Sequence, residues 1–415
     1  MLKILVNAYA CSPHTGSEPG MAWNWCCSLA KYCEIFIITE GEFQEHIEKE
    51  LKVLPQAKNM HFYYNRLSPK IREMCWNQGD WRFYRHYKKW QYKTYELALE
   101  ICEKENIEIL HQLNMIGFRE PGYLWKIDNI PFVWGPIGGL KQFPEAYFND
   151  AKLKIKLFLR LKNFISTLQL KYDQRIHKAL NRADLLISSI PDSHNALKIH
   201  KGLESIIIPE TGCIPIKSQF NIKLKDQKFV VLWVGKFDFR KQLPLALKAI
   251  AETQNKNIYL HIYGQGSKEQ ELELKKLVSN LEIEKQIVWQ GNQPNYKVQE
   301  AMQNAQLFFF TSVSEDTSTV VLEAITNYLP VLCFDTCGMG EVIDDEVGRK
   351  IPLSTPYKSI VHFSEQLNFL YNKPNILNSL SQNCEIRQKE LSWNQKAKTM
   401  LAHYNNLKSQ NDYKS

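Results

Sequence analysis

The segment SVSEDTSTVVLEAITNYLPVL, residues 312–332, decides the fold class. An apolar run ends before it at Phe310, and a loop rich in Ser, Thr and Asp follows. A segment with helical spacing begins near Thr319, and Pro330 starts the next apolar run. Strand, loop, helix and strand in this order are typical of an α/β protein with a parallel sheet.

The two glutamates in this segment have seven residues between them. Glu315 falls in the loop, and Glu323 falls about one turn into the helix, roughly 6 Å above its N-terminus. The N–H groups at a helix start favour a phosphate, and a carboxylate one turn further on can accept hydrogen bonds from a sugar hydroxyl. The spacing therefore fits a sugar nucleotide. The alternative is an ordinary N-capped helix with a glutamate on its face.

Length and composition indicate a globular protein of two domains. The chain has 415 residues, of which 44% are hydrophobic and 23% charged, and single cores stop growing at about 250 to 300 residues. The ten cysteines include no CxxC pair, which favours buried thiols in a reducing compartment over a zinc site or a disulfide framework. No run approaches the roughly 18 apolar residues that span a bilayer, and the chain starts as a strand. We expect a cytoplasmic location.

The net charge of +8 is unevenly distributed. Residues 152–178 hold eight Lys or Arg and one acid, Asp173, with apolar residues between them, and WRFYRHYKKWQYK (81–93) mixes aromatic and basic residues. This composition suits an anionic membrane surface, so we expect peripheral association with the inner face of a membrane. A solvated helix face is the alternative for both segments.

Apolar strand-like runs alternate with helical segments along the first half of the chain. The predicted strands are 3–6, 34–38, 108–111, 131–134, 184–188 and 205–208. Because these strands are apolar almost throughout, both faces of a parallel sheet are expected to be covered. We predict one Rossmann-like domain over residues 1–210.

A second cycle begins after the polar stretch 217–228. Its predicted strands are 229–234, 257–263, 286–289, 306–310 and 330–334, with helices at 243–252 and 268–281. We predict a second Rossmann-like domain over residues 211–390. Residues 391–415 form a terminal helix that is expected to cross back to the first domain, plus a polar tail. Ligands of such open sheets bind at the carboxyl ends of the strands, so a cleft between two facing domains is expected.

Several predicted strand ends carry residues suited to a ligand. In the first domain, Gly16 precedes a helix and lets a ligand approach its N-terminus, while His111 is placed at a strand end, facing the cleft, where it can exchange hydrogen bonds with a hydroxyl. A plain turn and a structural histidine are the respective alternatives.

The second domain repeats this arrangement. Gly235, Lys236 and Lys241 follow its first strand, Gly264 follows its second, and CGMGE (337–341) follows a later one. The two ammonium groups suit a diphosphate, although lysines in a basic protein are commonly solvated. These loops fall on one predicted edge of the sheet. A plain turn, a capped helix and solvated lysines would each explain one loop, but they would not explain why the loops share an edge.

Together these motifs resemble the retaining glycosyltransferases of family 4, which have the GT-B architecture of two facing Rossmann-like domains. The resemblance spans nearly the whole chain. It rests on GSEPG (16–20), HQLNMIGFREPG (111–122), WGPIGG (134–139), VGK…RK (234–241), YGQG (263–266), the two glutamates with LEA (322–324) and PVL (330–332), and SWNQK…Y (392–404).

The resemblance implies roles for the donor-binding residues. Glu323 would hold the donor ribose, and Thr319 and Val320 would offer backbone N–H groups to the diphosphate. Lys236 and Lys241 would neutralise the diphosphate in place of a metal, so no cofactor is expected.

By the same resemblance, Glu315 would contact the donor sugar and His111 would lie near its face. Gly16 would allow the donor or the acceptor to approach the first loop, and Gly235 and Gly264 would leave room for the donor. The chain departs from the common family pattern at residues 316–318, where Asp, Thr and Ser replace Gly, an aromatic and Pro. It also departs at Lys236, where Arg is common; Lys lacks the bidentate fork of Arg.

The function expected from these observations is retaining transfer of a sugar from a nucleotide diphosphate sugar to a hydroxyl acceptor. We expect a glycan or lipid-linked oligosaccharide acceptor in cell-surface polysaccharide synthesis, with Glu315, His111 and Lys241 as catalytic residues. A nucleotide-sugar epimerase or a phosphorylase on the same fold is the first alternative. A basic nucleic-acid-binding protein is a more remote one, because the chain shows no recognised nucleic-acid module.

Overall fold

The computed structural model describes residues 1–77, 80–217 and 228–412; for residues 149, 150 and 412 it describes the backbone alone. Most of the predicted polar stretch 217–228 and the end of the polar tail lie outside these ranges. The described chain forms two compact units. The first unit comprises Met1–Leu140, Phe164–Glu210 and Trp393–Ser415, and the second comprises Lys141–Asn163 and Thr211–Ser392.

Each unit contains one parallel sheet. The strands of the first unit are β1 (Lys3–Ala8), β2 (Glu34–Thr39), β3 (Met60–Tyr64), β4 (Ile109–Asn114), β5 (Phe132–Ile137), β6 (Leu185–Ser188) and β7 (Ile206–Ile207). Those of the second are β8 (Phe229–Val234), β9 (Ile258–Tyr263), β10 (Ile287–Gly291), β11 (Leu307–Phe310), β12 (Val331–Asp335) and β13 (Gly348–Pro352). The strand orders are β3-β2-β1-β4-β5-β6-β7 and β10-β9-β8-β11-β12-β13.

Helices connect the strands. Those up to the end of β7 are α1 (Ser17–Leu29), α2 (Gln44–Leu51), α3 (Pro69–Trp76), α4 (Phe83–Glu105), α5 (Leu153–Tyr172), α6 (Gln174–Arg182) and α7 (Pro191–Lys201). The others are α8 (Leu243–Glu252), α9 (Lys268–Asn280), α10 (Asn295–Asn304), α11 (Thr319–Thr326), α12 (Cys337–Val342), α13 (Pro356–Asn372), α14 (Pro374–Glu390) and α15 (Trp393–Asp412). None of the described helices combines the length and apolar content needed to cross a bilayer.

The apolar strands are buried on both faces, as their sequence predicts. In β1, Ile4 and Val6 pack into one core with α1 and α15, while Leu5 packs into a second core with α4 and α6. In β8, Val231 and Leu232 likewise point into two different cores. This two-sided burial confirms the predicted pair of Rossmann-like α/β units. The edge strands β3 and β13 were not predicted.

The two units depart from the predicted domain boundaries at residues 391–392, which stay in the second unit, and more substantially at residues 141–163. Residues 141–163 belong to the second unit, although they precede residue 210 in the chain. Their aromatic side chains explain this. The ring centroid of Phe143 lies 5.5 Å from that of Phe239, and the hydroxyl of Tyr147 lies 2.9 Å from Ser359 Oγ.

Helix α15 belongs to the first unit. Trp393 packs edge-on against Trp25 of α1 with their ring centroids 6.4 Å apart. The hydroxyl of Tyr32 donates to Asn394 Oδ1 at 2.9 Å. The amphipathic spacing of this segment therefore serves to cover the α1 face of the first sheet.

Candidate active site

The centre of the second sheet places two strand ends side by side. Strands β8 and β11 are neighbours, but the chain continues from β8 toward β9 and β10 on one side and from β11 toward β12 and β13 on the other. The loops that leave their carboxyl ends consequently diverge. In open α/β sheets this switch point is where ligands bind.

A short turn after β8 fixes the position of Lys241. The carboxylate of Asp238 accepts hydrogen bonds from the backbone N–H groups of Arg240 and Lys241, at 3.0 and 3.2 Å. This cap starts a 3-10 helix over Phe239–Lys241. The ammonium of Lys241 extends back over the ring of Phe310 at the end of β11, 4.6 Å from its centroid.

The loop after β11 is hydrogen-bonded to this turn. The hydroxyl of Thr311 donates to Lys241 O at 2.7 Å, the N–H of Val313 donates to Arg240 O at 3.0 Å, and the hydroxyl of Ser312 reaches the same carbonyl at 3.2 Å. The two loops therefore form one rigid surface at the strand ends.

This surface brings two of the predicted site residues into contact. The ammonium of Lys241 lies 2.8 Å from Glu315 Oε1, and both side chains are largely buried. The hydroxyl of Ser312 donates to the same oxygen at 3.1 Å. An ammonium has three donor hydrogens, so Lys241 can bind Glu315 and still contact an anionic ligand.

The first turn of α12 supports the loop that carries Glu315. The N–H of Glu315 lies 3.4 Å from Cys337 Sγ, and the N–H of Gly338 donates to Asp316 O at 3.2 Å. A Cβ on Gly338 would lie 2.1 Å from the hydroxyl oxygen of Thr317. The CGMGE segment thus acts by close packing beneath the loop.

A cavity of about 430 Å³ opens beside these loops at the ends of β8, β9 and β10. Gly264 has a φ of +146°, and a Cβ there would lie 1.8 Å from Gly235 O, so only glycine fits. Lys236 is exposed at the cavity rim. Gly235 and Gly264 line this cavity, and their role in leaving room for a ligand stays a prediction.

Helix α11 begins at the same edge of the sheet. In the described part of the chain, Ser318 does not cap this helix through its side chain, and the first turn contains Thr319 and Val320. One turn later, Glu323 accepts a hydrogen bond from Gln299 Nε2 of α10 at 2.9 Å. Burial raises the pKa of the Glu323 carboxyl, although the hydrogen bonds from Gln299 and Asn295 oppose the shift.

The first unit has a cavity of its own at the carboxyl ends of β1, β2 and β4, with a volume of about 370 Å³. The indole N–H of Trp76 donates to both oxygens of Glu42, at 2.8 and 3.0 Å. The aromatic and acidic residues that line the cavity are Tyr9, Glu18, Glu40, Glu42, Phe43, Trp76, Asp80, Phe83 and Tyr84. Gly16 lies nearby, immediately before α1, and a Cβ added there meets nothing within 4 Å.

His111 is not at a strand end, which corrects the prediction. Strand β4 continues to Asn114, and His111 is fully buried beneath α15. Its Nε2–H donates to Gly135 O at 2.7 Å, so Nδ1 is free to accept the hydroxyl of Tyr404 at 2.6 Å. Burial lowers the pKa of His111 to about 4, against a smaller opposing effect of the bond to Gly135. In this conformation His111 holds the first unit together and does not face a ligand.

Some residues that position the predicted site residues were not predicted from the sequence. Asp238 positions Lys241, Ser312 and Cys337 position Glu315, and Gln299 binds Glu323. The Asp three residues before Lys241 is a recognisable capping spacing. The Cys337 and Gln299 contacts join distant segments and leave no local signal. Among the described residues, no cluster of three or more His, Cys, Asp or Glu side chains could hold a metal ion.

Comparison with known families gives this site a context. Residues 216–387 match the model of the family described as glycosyl transferases group 1. Residues 216–387 are therefore similar to a group 1 glycosyltransferase domain, and the match covers less than half of the chain. The matched range contains Lys236, Lys241, Glu315 and Glu323, so the family match and the site coincide.

Solved structures agree on the fold over nearly the whole chain. Sucrose-phosphate synthase from Thermosynechococcus elongatus is 14% identical with a TM-score of 0.63, covering 99% of this chain and 100% of its own. Anabaena HepE in complex with UDP is 13% identical with a TM-score of 0.59, covering 97% and 100%. The lipopolysaccharide outer core galactosyltransferase WaaB is 16% identical with a TM-score of 0.61, covering 94% and 96%.

None of the curated proteins matches the chain by sequence. The structural likeness supports the GT-B fold predicted from the sequence, with two Rossmann-like units.

Proposed function

We propose that this protein is a retaining glycosyltransferase that moves a sugar from a nucleotide diphosphate sugar to a hydroxyl group of a glycan or lipid-linked acceptor. The observation that carries the proposal is the Lys241–Glu315 pair at the switch point of the sheet in the region similar to a group 1 glycosyltransferase domain. The pair holds an ammonium at the strand ends, beside the start of α11. A diphosphate bound there would contact the ammonium of Lys241 and the positively polarised N–H groups at the start of α11.

The donor site follows from this arrangement. We assign the diphosphate to Lys236, Lys241 and the N–H groups of Thr319 and Val320, and the ribose hydroxyls to Glu323. Gly235 and Gly264 leave the open space next to Lys236 in which the donor would lie. Uridine diphosphate is the first ligand to test, because HepE was crystallised with UDP and with UDP-glucose.

Chemistry at this site depends on the charge of the leaving group. As the bond from the anomeric carbon to the phosphate oxygen breaks, negative charge accumulates on the diphosphate, and a fixed ammonium stabilises this charge more in the transition state than in the ground state. A departing phosphate oxygen can take the acceptor proton on the same face, which retains the anomeric configuration. In this proposal the lysines provide the charge neutralisation and no metal is required.

The structure suggests a specific task for Glu315. It accepts from Ser312 and from Lys241 through one oxygen, so it orients the ammonium, while the second oxygen remains the candidate contact to the donor sugar. His111 has no part in this scheme, because both of its ring nitrogens are engaged inside the first unit.

We assign the acceptor to the cavity of the first unit. Its aromatic rings and carboxylates suit the apolar faces and the hydroxyls of a sugar. WaaB is a lipopolysaccharide galactosyltransferase, and an acceptor in cell-surface polysaccharide synthesis remains our proposal here. We also retain the cytoplasmic location and peripheral association with an anionic membrane.

A thermal-shift panel of nucleoside diphosphates and their sugars tests the donor assignment. A ligand at 100 times its dissociation constant should stabilise the protein by about 2.7 kcal/mol, and the Lys241→Gln variant should lose this response. NMR of the transferred sugar should then show the anomeric configuration of the donor. Conversion of the donor without an acceptor would instead indicate an epimerase, and consumption of the donor with inorganic phosphate would indicate a phosphorylase. Steeply salt-dependent oligonucleotide binding would favour the nucleic-acid alternative.

A further inference from the structure

Helix α5 exposes a continuous apolar stripe. Eight large apolar side chains on this one helix are between 39% and 74% exposed: Leu153, Leu157, Phe158, Leu161, Phe164, Ile165, Leu168 and Tyr172. At about 100° per residue, they fall within an arc of about 140° that runs the length of the helix. Scattered exposed apolar residues are ordinary, but a contiguous patch of this kind marks an interaction surface.

The stripe is separate from the side of α5 that packs into the protein. Ile155 and Leu159 lie on the opposite side of the helix and pack into a core of the second unit, and Leu170 packs into a core of the first. The structural requirement of the helix for apolar residues is therefore met without the outer stripe.

Charge identifies the partner. The sequence of α5 contains five basic residues and no Asp or Glu. Arg160 and Lys171 project along one border of the stripe and Lys162 along the other, as the helical spacing requires. Lys154, in the first turn, lies within the arc of the stripe itself. An apolar stripe bordered by basic residues is the pattern of helices that lie in the interface of an anionic membrane. A second copy of the chain would instead bring two acid-free basic faces together, which is unfavourable.

Two other basic features do not offer such a face. Lys152, just before α5, is engaged with Glu269 and Glu273 at 2.9 and 2.8 Å. In the segment 81–93, three of the six aromatic rings, those of Phe83, Tyr87 and Trp90, are buried in a core cluster around Tyr9, so half of its aromatic content is structural.

We infer that α5 lies in the headgroup region of an anionic membrane, with its outer stripe among the acyl chains and its basic residues at the lipid phosphates. The stripe is a property of the helix and does not depend on the donor or the acceptor. The inference rests on the peripheral association named in the proposed function, but its failure can be told from a failure of sugar transfer, because vesicle binding and transfer are measured separately.

Flotation of the full chain with lipid vesicles tests this surface. The protein should bind vesicles of phosphatidylcholine mixed with phosphatidylglycerol, bind phosphatidylcholine alone much less, and dissociate as salt is added. Equal binding to both kinds of vesicle, or binding to neither, would overturn the inference.

An apolar variant and its control separate the stripe from general hydrophobicity. Replacing Leu157, Phe158 and Leu161 together by Gln should weaken binding to anionic vesicles on the order of 100-fold or more, because most of the inserted apolar area is lost. The control replaces Leu272, Tyr357 and Ile386 by Gln; these side chains are equally exposed but lie on three different helices. Equal losses in the two variants would contradict the inference.

A charge variant completes the test. Lys154→Gln, Arg160→Gln and Lys171→Gln together should weaken binding on the order of 100-fold, at roughly five-fold per base. The control replaces Lys268, Lys275 and Lys276 of α9 by Gln, and should bind like the wild type.

Sedimentation velocity tests whether a second copy of the chain covers the stripe instead. If the wild type forms a dimer that the apolar variant does not form, and the wild type binds no vesicles, the stripe serves self-association and the inference is overturned. Unchanged thermal unfolding of each variant excludes misfolding.

Discussion

The ammonium of Lys241 lies 2.8 Å from Glu315 Oε1, with only 13% and 16% of the two side chains exposed. The two residues come from different strand ends and are 74 positions apart in the chain. Ser312 donates to the same carboxylate oxygen, so the ammonium is fixed from one side before any ligand arrives. Preorganisation of this kind is what makes a charged group effective in catalysis.

The pair predicts a non-additive effect on turnover. Lys241→Gln should lower kcat by about 100-fold to 1000-fold, because a charge that stabilises the leaving diphosphate is lost. Glu315→Gln should lower kcat less, and the double variant should be no slower than Lys241→Gln alone. Steady-state kinetics of the four proteins, with Lys275→Gln as a control on the surface of α9, measure this coupling. Multiplicative losses would show that Glu315 acts independently of Lys241.

The carboxylate of Glu323 should lower the stability of the folded protein while it strengthens nucleotide binding. Because burial raises the pKa of its carboxyl above the ordinary value of 4.5, the folded protein takes up this proton more readily than the unfolded chain. Deprotonation therefore costs folding free energy, and the cost grows as the pH rises from 4.5 through the raised pKa. Glu323→Gln should unfold at a higher temperature than the wild type at neutral pH, and this difference should shrink as the pH falls toward 4.5.

The same variant should bind the nucleotide less well. A ribose hydroxyl forms a stronger hydrogen bond to a carboxylate than to an amide oxygen. Glu323→Gln should therefore lower the affinity for a nucleoside diphosphate by about 10-fold in calorimetric titrations. Gln299→Ala serves as the comparison, since it removes the neighbouring donor and leaves the carboxylate. Wild-type affinity in Glu323→Gln would remove the ribose assignment.

The sheets were predictable because their signal is local. An apolar strand followed by a helical segment predicts a parallel pair wherever it occurs, and both units repeat this pattern. β3 was missed because its sequence, MHFYY, is not a continuous aliphatic run. At this sheet edge only Met60 is buried and the other four residues are partly exposed.

The placement of His111 could not be read from local sequence. In the sequence the apolar run stops at His111 because Gln112 and Asn114 are polar, yet both are buried within β4. Gln112 accepts a hydrogen bond from Asn7 Nδ2 at 2.8 Å, so a buried polar network between neighbouring strands extends β4 beyond the apolar residues. Long-range partners of this kind, like the contact of Tyr404 with His111 across 293 positions, have no signature in the sequence.

His111 predicts a dependence of stability on acid. Its pKa of about 4 in the folded protein lies below the ordinary value of 6.5, so the unfolded chain binds the proton more tightly. Stability should be fully present above pH 6.5 and should fall as the pH drops toward 4, by at most about 3 kcal/mol from this residue. Urea unfolding at pH 7.5 and at pH 5 measures the loss, and His111→Gln should reduce the difference between the two.

Tyr404→Phe provides a second measure of the same buried contact. Removing the hydroxyl leaves Nδ1 of His111 without its donor and should cost about 1 to 3 kcal/mol of folding free energy. Donor affinity should not change, because Tyr404 and His111 lie inside the first unit. A loss of turnover without a loss of stability would instead return His111 to the catalytic residues.

Replacement of Gly264 and of Gly16 by Ala should affect stability differently. Gly264→Ala should destabilise the protein by more than about 1 to 3 kcal/mol, because its φ is +146° and the new Cβ would lie 1.8 Å from Gly235 O. Gly16→Ala should leave thermal unfolding unchanged, since nothing lies within 4 Å of its Cβ. If a ligand approaches Gly16 closely, KM should nevertheless rise in this variant. Wild-type KM would show that Gly16 has no binding role.

The cavity of the first unit predicts an effect confined to the acceptor. Trp76 lines this cavity and is 53% exposed, with its indole N–H donating to Glu42. If the ring packs against the acceptor sugar, Trp76→Ala should lower kcat/KM for the acceptor by about 10-fold to 100-fold, in line with the loss of one aromatic contact. The donor-induced thermal shift should stay at the wild-type value. Trp81→Ala is the matched control, because Trp81 is 79% exposed and is not among the residues that line the cavity. Equal losses in the two variants would show that the cavity does not bind the acceptor, whereas a loss of donor response in Trp76→Ala would place the donor against the first unit.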